Sequence, residues 1–131
     1  MKLKLDWRDP RPEERENYRK YSQLAVLNNE GYILNKTLNE NFGKTNHFVW
    51  VMATEDRVVW PAEGEWWYEP NPSDPFNDIL PMNKTEWYLK DLFGLKTAND
   101  NDKNYFESFV GNHLEFSMEA FDSWIRKYFS L

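Results

Sequence analysis

Tyr18, Tyr21, Leu24, Ala25 and Asn28 recur at helical spacing behind Pro10, Pro12 and the acids Glu13, Glu14 and Glu16. Acids after a proline suit a helix N-terminus, where the missing N–H is no loss and carboxylates complement the helix dipole. The pattern predicts a helix that Gly31 ends. Leu34, Leu38 and Phe42 then repeat every four residues up to Gly43 and predict a second, short helix. The charged positions between them read as a solvated face. The period changes at His47. From there to Ala53 the chain is apolar on both faces and rich in β-branched and aromatic residues, which predicts a buried strand of a parallel sheet. The strand stops at Thr54-Glu55-Asp56-Arg57. The stretch Glu69 to Pro81 holds four prolines and reads as an irregular surface loop. Thr85 to Leu92 predicts a short helix stopped by Gly94, and Asn99 to Asp102 a turn. Tyr105 to Val110 predicts a second strand. Ser117 is placed to cap a final helix with Glu119 in its first turn. The stripe Phe121, Trp124, Ile125 and Tyr128 would pack that helix on the sheet.

Composition narrows the classes. The chain has 131 residues, 40% hydrophobic and 18% aromatic, more large apolar side chains than a disordered chain carries. Sixteen basic against 22 acidic residues give a net charge of −6, which argues against a binder of the phosphate backbone. The longest apolar run, Phe48 to Ala53, is far short of the ~20 residues of a helical membrane span. With no cysteine, disulfides, thiolate catalysis and cysteine-ligated metals are excluded together. Met1 to Arg8 has no apolar core of a signal peptide. Yet Asn35-Lys36-Thr37 and Asn83-Lys84-Thr85 are glycosylation acceptor sequences, a pattern that asparagine-rich chains also produce by chance.

The candidate chemistry is short. Of two histidines, His47 opens a strand and reads as structural. His113 follows a strand in the loop Gly111-Asn112-His113. A lone loop histidine is commonly just exposed, but here a strand-terminal acid, Asp56, precedes it by one helical connection. Asp then His is the order that closes the Ser, Asp, His sequence of α/β-hydrolases, in which the acid orients the imidazole and the histidine takes a proton from the nucleophile. The nucleophile is missing. None of Ser22, Ser73, Ser108, Ser117, Ser123 and Ser130 stands in a Gly-x-Ser-x-Gly turn. There is no glycine-rich phosphate loop and no metal-ligand spacing of histidines. The 22 acids permit a paired-carboxylate site, but no spacing favours one.

Several short segments together resemble one family. Glu55-Asp56-Arg57-Val58-Val59-Trp60-Pro61 with Glu65-Trp66-Trp67 is similar to palmitoyl-protein thioesterases around their triad aspartate. Leu80-Pro81-Met82 through Trp87-Tyr88, Asp91 and Phe93-Gly94-Leu95 continue the likeness. Gly111-Asn112-His113-Leu114-Glu115-Phe116-Ser117, then Phe121 and Trp124, resembles the family's histidine motif. Asp6-Trp7-Arg8-Asp9-Pro10 resembles its entry into a helical insertion, and Tyr21-Ser22 through Glu30 follows. Asn112, where an acid is common, and Trp60, before Pro61, depart from the pattern without touching the acid–base pair.

The resemblance implies an α/β fold, the C-terminal part of an α/β-hydrolase. Residues 1–46 would be the end of the helical insertion on the acyl-groove side. Residues 47–131 would carry the last two parallel strands with flanking helices. Asp56 and His113 would be catalytic, their side chains within about 2.6–3.2 Å, with Glu55, Asp91 and Glu115 farther away. The serine, its elbow and the secretory signal would lie upstream of Met1, so this chain alone would be inactive. Asn35 falls where the family is glycosylated, and Asn83 is a second acceptor. The resemblance implies no metal or cofactor and no nucleic-acid partner. It implies S-acylated proteins or peptides as substrate, the missing N-terminal half as partner, and the lysosome or secretory pathway as location. Two alternatives stay open: a non-catalytic module that keeps the Asp and His, and a lipase-like hydrolase of oxygen esters.

Overall fold

A computed structural model describes residues 8–129. Asp6 and Trp7 of the resemblance and the candidate Ser130 lie outside the described residues. The chain is an α/β protein in which helices flank a parallel two-stranded sheet.

The first stretch forms helices α1 (Pro12–Tyr21) and α2 (Gln23–Leu27) in place of one helix reaching Gly31. Ser22 makes the break. Its backbone is extended, and its hydroxyl accepts the Leu24 N–H, an alternative that serine offers the backbone against continuing a helix. The chain turns at Asn29, whose φ is +56°, two residues before Gly31. Helix α3 (Lys36–Lys44) starts later than the Leu34 spacing predicts. Asn35 caps it, its side-chain oxygen accepting the Thr37 N–H at 3.0 Å.

Strand β1 (Phe48–Ala53) pairs in parallel with a strand near the C-terminus, β4 (Asn104–Phe109), in the register Phe48↔Asn104 to Ala53↔Phe109. Only Ala53 of β1 is buried, against the expectation of burial on both faces. β1 has one strand neighbour among the described residues, β4. One face packs an aromatic ladder: Phe48 stacks on Phe42 at 4.1 Å and Trp50 meets Trp67 edge to face at 5.0 Å. Trp67 and Phe42 also join the core around Met82, Trp87, Tyr88, Phe93 and Leu95.

The proline-rich loop is not wholly irregular. Strands β2 (Glu69–Pro70) and β3 (Ile79–Leu80) close it as a short antiparallel pair. Helix α4 is shorter than predicted, Glu86–Leu89. Gly94 starts a helix instead of ending one: α5 (Leu95–Asp100) takes up the first half of the predicted Asn99–Asp102 turn. Two features account for this. Gly94 has φ +102°, and a Cβ there would meet the Asn39 carbonyl at 3.2 Å. Asp91 accepts the Lys96 and Thr97 N–H groups at 2.9 and 3.2 Å and so supplies a cap from outside the helix. Helix α6 (Met118–Phe129) begins as expected, with Ser117 Oγ accepting the Ala120 N–H at 3.1 Å. It packs on the second sheet face through Tyr128 on Tyr105 and Trp124 on Phe109.

The charges of the first stretch are not simply a solvated face. Arg8 bonds Glu30 at 2.7 Å and also Glu69, while Arg15 bonds Glu69 at 3.0 Å. The Tyr18 hydroxyl donates to the other oxygen of Glu30 at 2.7 Å. The Arg8 guanidinium lies over the Trp87 ring, 4.2 Å from its centroid. The Glu30 and Glu69 side chains are 4% and 3% exposed, so these ions are held against the core. The requirement that a buried carboxylate be paired draws α1 onto the sheet-side elements. Replacing Arg8 by Ala would take the arginine from Glu30 and one of two from Glu69, and removing one partner of a buried pair costs roughly 3–5 kcal/mol. We expect R8A to lose a large part of the thermal melting temperature and R8K to recover only some of it, because lysine cannot make the forked contacts. A melting curve of R8A that overlays wild type would refute the network's role.

Candidate active site

The parallel ladder continues past β1 and β4. Thr54 N–H bonds the Phe109 carbonyl and Glu55 N–H the Gly111 carbonyl, each at 3.0 Å. The two connections therefore leave the sheet side by side at one edge. Asp56 comes next on one and His113 on the other. Arg57 N–H donates to the Asn112 side-chain oxygen at 2.9 Å and ties the two loops together. Gly111 leaves room for this turn, since a Cβ there would come within 3.1 Å of the Phe109 ring.

Asp56 Oδ2 lies 2.7 Å from His113 Nδ1. Its other oxygen accepts the Val58 and Val59 N–H groups at 2.6 and 2.8 Å. The Asp56 side chain is fully shielded and the His113 side chain is 32% exposed. Shielding alone pushes the Asp56 carboxyl upward. The Val59 N–H, His113 and the Val58 N–H outweigh it and hold Asp56 below its ordinary value. An ionised carboxylate can only accept, so Nδ1 carries the proton of this bond and Nε2 keeps its lone pair. The arrangement can take a proton at Nε2 and stabilise the imidazolium that results.

The other candidates fall elsewhere. His47 precedes β1, is exposed, and sets its ring edge-on to Tyr105. Asn35 and Asn83 are both exposed, while Thr85 of the second acceptor sequence is buried with its hydroxyl on the Met82 carbonyl. Among the serines, Ser22 and Ser117 cap helices and the Ser123 hydroxyl donates to the Ala120 carbonyl. Asp91 serves α5, and Glu115 accepts the Asn112 N–H at 3.0 Å. A pocket of about 440 Å³ is lined by Trp66, Tyr68, Tyr88, Asn99 and Phe106 among others, and contains neither Asp56 nor His113.

One acid beside the pair is not among the catalytic candidates of the sequence. Glu65, on the 3₁₀ turn Ala62–Trp66, lies 3.9 Å from His113 Nδ1. Its signal in the sequence was only its place in the Glu65-Trp66-Trp67 segment; nothing in the spacing marks it as a neighbour of the histidine. Asp56, Glu65 and His113 also form the one group among the described residues whose donor atoms gather closely enough for a metal ion, within 4.8 Å. The donor set fits a hydrogen-bonded cluster better: both Asp56 oxygens and one Glu65 oxygen already accept N–H groups.

An α/β protein with a histidine held by a buried aspartate at the ends of adjacent parallel strands is the class these features define. The chain matches the family model for palmitoyl protein thioesterase over residues 6–113, a span that contains Asp56 and ends on His113. It is 33% identical over 125 residues to palmitoyl-protein thioesterase 1 of Caenorhabditis elegans, covering 94% of this chain and 41% of the relative. It is 26% identical over 115 residues to palmitoyl-protein thioesterase 3 of Dictyostelium discoideum, covering 88% and 39%. The chain belongs to the palmitoyl protein thioesterase family, and spans about two-fifths of the length of these curated relatives.

The two carboxyls respond to pH in opposite senses. Asp56 is depressed in the folded chain, so its stabilisation is present above its ordinary value of 3.8 and is lost as pH falls through the folded value. Burial, opposed by the Ala53 N–H and aided by the charge of Asp56, raises Glu65, so its contribution is present below 4.5 and is lost as pH rises through the folded value. We expect D56N to flatten the fall in melting temperature below about pH 4. An acid limb as steep in D56N as in wild type would show that Asp56 does not supply it.

Proposed function

We propose that this chain carries the acid–base half of a Ser-His-Asp thioester hydrolase, with the α/β-hydrolase fold that this implies. The observation that carries the reading is the 2.7 Å bond between Asp56 and His113 Nδ1 at the ends of adjacent parallel strands. Family membership supports it and supplies the substrate class, fatty acyl groups such as palmitate on cysteine sulfur. Residues 1–46 are the end of a helical insertion on the acyl-groove side, and residues 47–131 the C-terminal part of the hydrolase sheet with its helices.

A serine from outside residues 1–131 attacks the thioester carbonyl, and His113 Nε2 takes its proton. The tetrahedral intermediate expels the cysteine thiolate, to which His113 returns the proton. Water then attacks the acyl-serine with His113 again as base, releasing the fatty acid and regenerating the serine. Asp56 stabilises the imidazolium in both halves. No step uses a metal or cofactor. The chain alone is then inactive, because none of its serines stands in a Gly-x-Ser-x-Gly turn. Glycosylation at Asn35 and Asn83 and a lysosomal or secretory location belong to the same reading.

The test is a chimera in which this chain replaces the matching part of the C. elegans relative. We expect hydrolysis of a palmitoyl-cysteine thioester in preference to the matched oxygen ester. In that chimera H113A would lose roughly 10⁴-fold in kcat or more, and D56N somewhat less. Activity that survives H113A would overturn the mechanism. Preference for the oxygen ester would favour a lipase-like enzyme, and a folded chimera without turnover would favour a non-catalytic module.

A further inference from the structure

Two carboxylates face the same ring nitrogen. Asp56 Oδ2 is 2.7 Å from His113 Nδ1, and Glu65 Oε1 is 3.9 Å from it. Glu65 is held in place from both directions. Its side chain is 17% exposed, and its second oxygen accepts the Ala53 N–H at 2.7 Å. The next residue, Trp66, donates its indole N–H to the Trp50 and Glu107 carbonyls at 3.2 and 2.9 Å, one on each strand of the sheet.

The Ala53 N–H matters because of where it points. Phe48 and Thr54 donate to the β4 side, and in a parallel ladder alternate residues face the same neighbour. Ala53 therefore faces the outer edge of β1, where it is buried at 1% exposure and no strand lies beside it among the described residues. Glu65 accepts that N–H at the last residue of β1, just ahead of the Asp56 turn.

We infer that Glu65 is a positioning residue for His113: one carboxylate oxygen clamps the end of β1, and the other gives Nδ1 a second negative neighbour. At 3.9 Å it does not replace the Asp56 bond. It removes the alternative, because a ring that swings off Asp56 still meets an acceptor on the same side, and the proton stays on Nδ1. Nε2 is thereby kept as the lone-pair nitrogen. The upward shift of Glu65, from burial first and the Asp56 charge as well, fits the same closeness of the two acids. The kinetic arm of the test rests on the thioesterase reading; the spectroscopic arm does not.

The chain has two histidines, so ¹⁵N spectra of the imidazoles contain two ring systems, and His47→Gln identifies His113. At a pH where the ring is neutral, wild type should show His113 with Nδ1 protonated and Nε2 bare. Glu65→Ala removes clamp and charge, and should bring the two ring shifts together as the tautomers mix. Glu65→Gln keeps an acceptor for Ala53 and removes the charge. It should melt no lower than wild type yet move the same shifts in the same direction. Ring shifts unchanged in both variants would overturn the proposal and leave Glu65 as an anchor for β1 only. If Glu65→Ala does not fold, Glu65→Gln alone decides by the same criterion. In the chimera, Glu65→Gln should lower kcat roughly tenfold with KM unchanged, the size typical of a residue that orients another. A raised KM at constant kcat would count against it. A wild-type chimera with no turnover would remove the thioesterase reading while the ring spectra still decide the place of Glu65.

Discussion

The parallel pairing of β1 with β4 is the constraint on which the site depends. Residues 54 positions apart at Trp50 and Asn104 are neighbours through an indole N–H to amide bond of 3.0 Å, and the strands run the same way. Two parallel strands end at the same edge. The side chains that follow them are brought together by topology before any specific bond forms between them. An antiparallel pairing of the same segments would put Asp56 and His113 at opposite ends of the sheet. The Glu55–Gly111 bond extends the ladder one step beyond the strands and carries that alignment into the turns.

The helical stretch is attached by a different kind of force. Apolar contact accounts for the aromatic core, but α1 reaches the rest of the chain through Arg15 on Glu69, Arg19 on Glu86 and the Tyr18 hydroxyl on Glu30, with Arg8 ahead of the helix on Glu30 and Glu69. Glu69 has a further role there, since its free oxygen accepts the Glu86 N–H at 3.1 Å, the first helical N–H of α4. One buried acid thus satisfies two arginines and a helix end. Such a cluster is directional where hydrophobic contact is not, and it sets how α1 sits against β2 and α4.

How much of this was legible in the sequence follows from range. Strands β1 and β4 and helix α6 were legible because their signals are local: an apolar run, an aromatic run and a serine cap ahead of a periodic stripe. The breaks at Ser22 and Gly94 are not legible for the same reason in reverse. Ser22 chooses between capping and continuing on the strength of one side-chain bond, and α5 is capped by Asp91, which lies outside it. Asp56 and His113 were legible because strand ends in a parallel sheet converge whatever the detail. Glu65 was not, because its approach depends on a 3₁₀ turn and on two bonds from Trp66 that no periodicity encodes. The buried charge network is not legible, since charge spacing on a helix does not tell which face another element will cover.

The site's geometry is set by backbone groups more than by side-chain packing. Asp56 is oriented by two consecutive N–H groups of its own turn, Glu65 by the N–H of the last strand residue, and Asn112 by the Arg57 N–H. Each acceptor is therefore positioned by a segment that the sheet already fixes, and His113 has few positions left to choose from. This also explains why exposed apolar side chains beside the pair, Val58 and Leu114 at 70% and 69%, do not blur it. Their contacts are not what aims the carboxylates. An imidazole aimed by backbone-held acids keeps its orientation while the surface around it exchanges one neighbour for another.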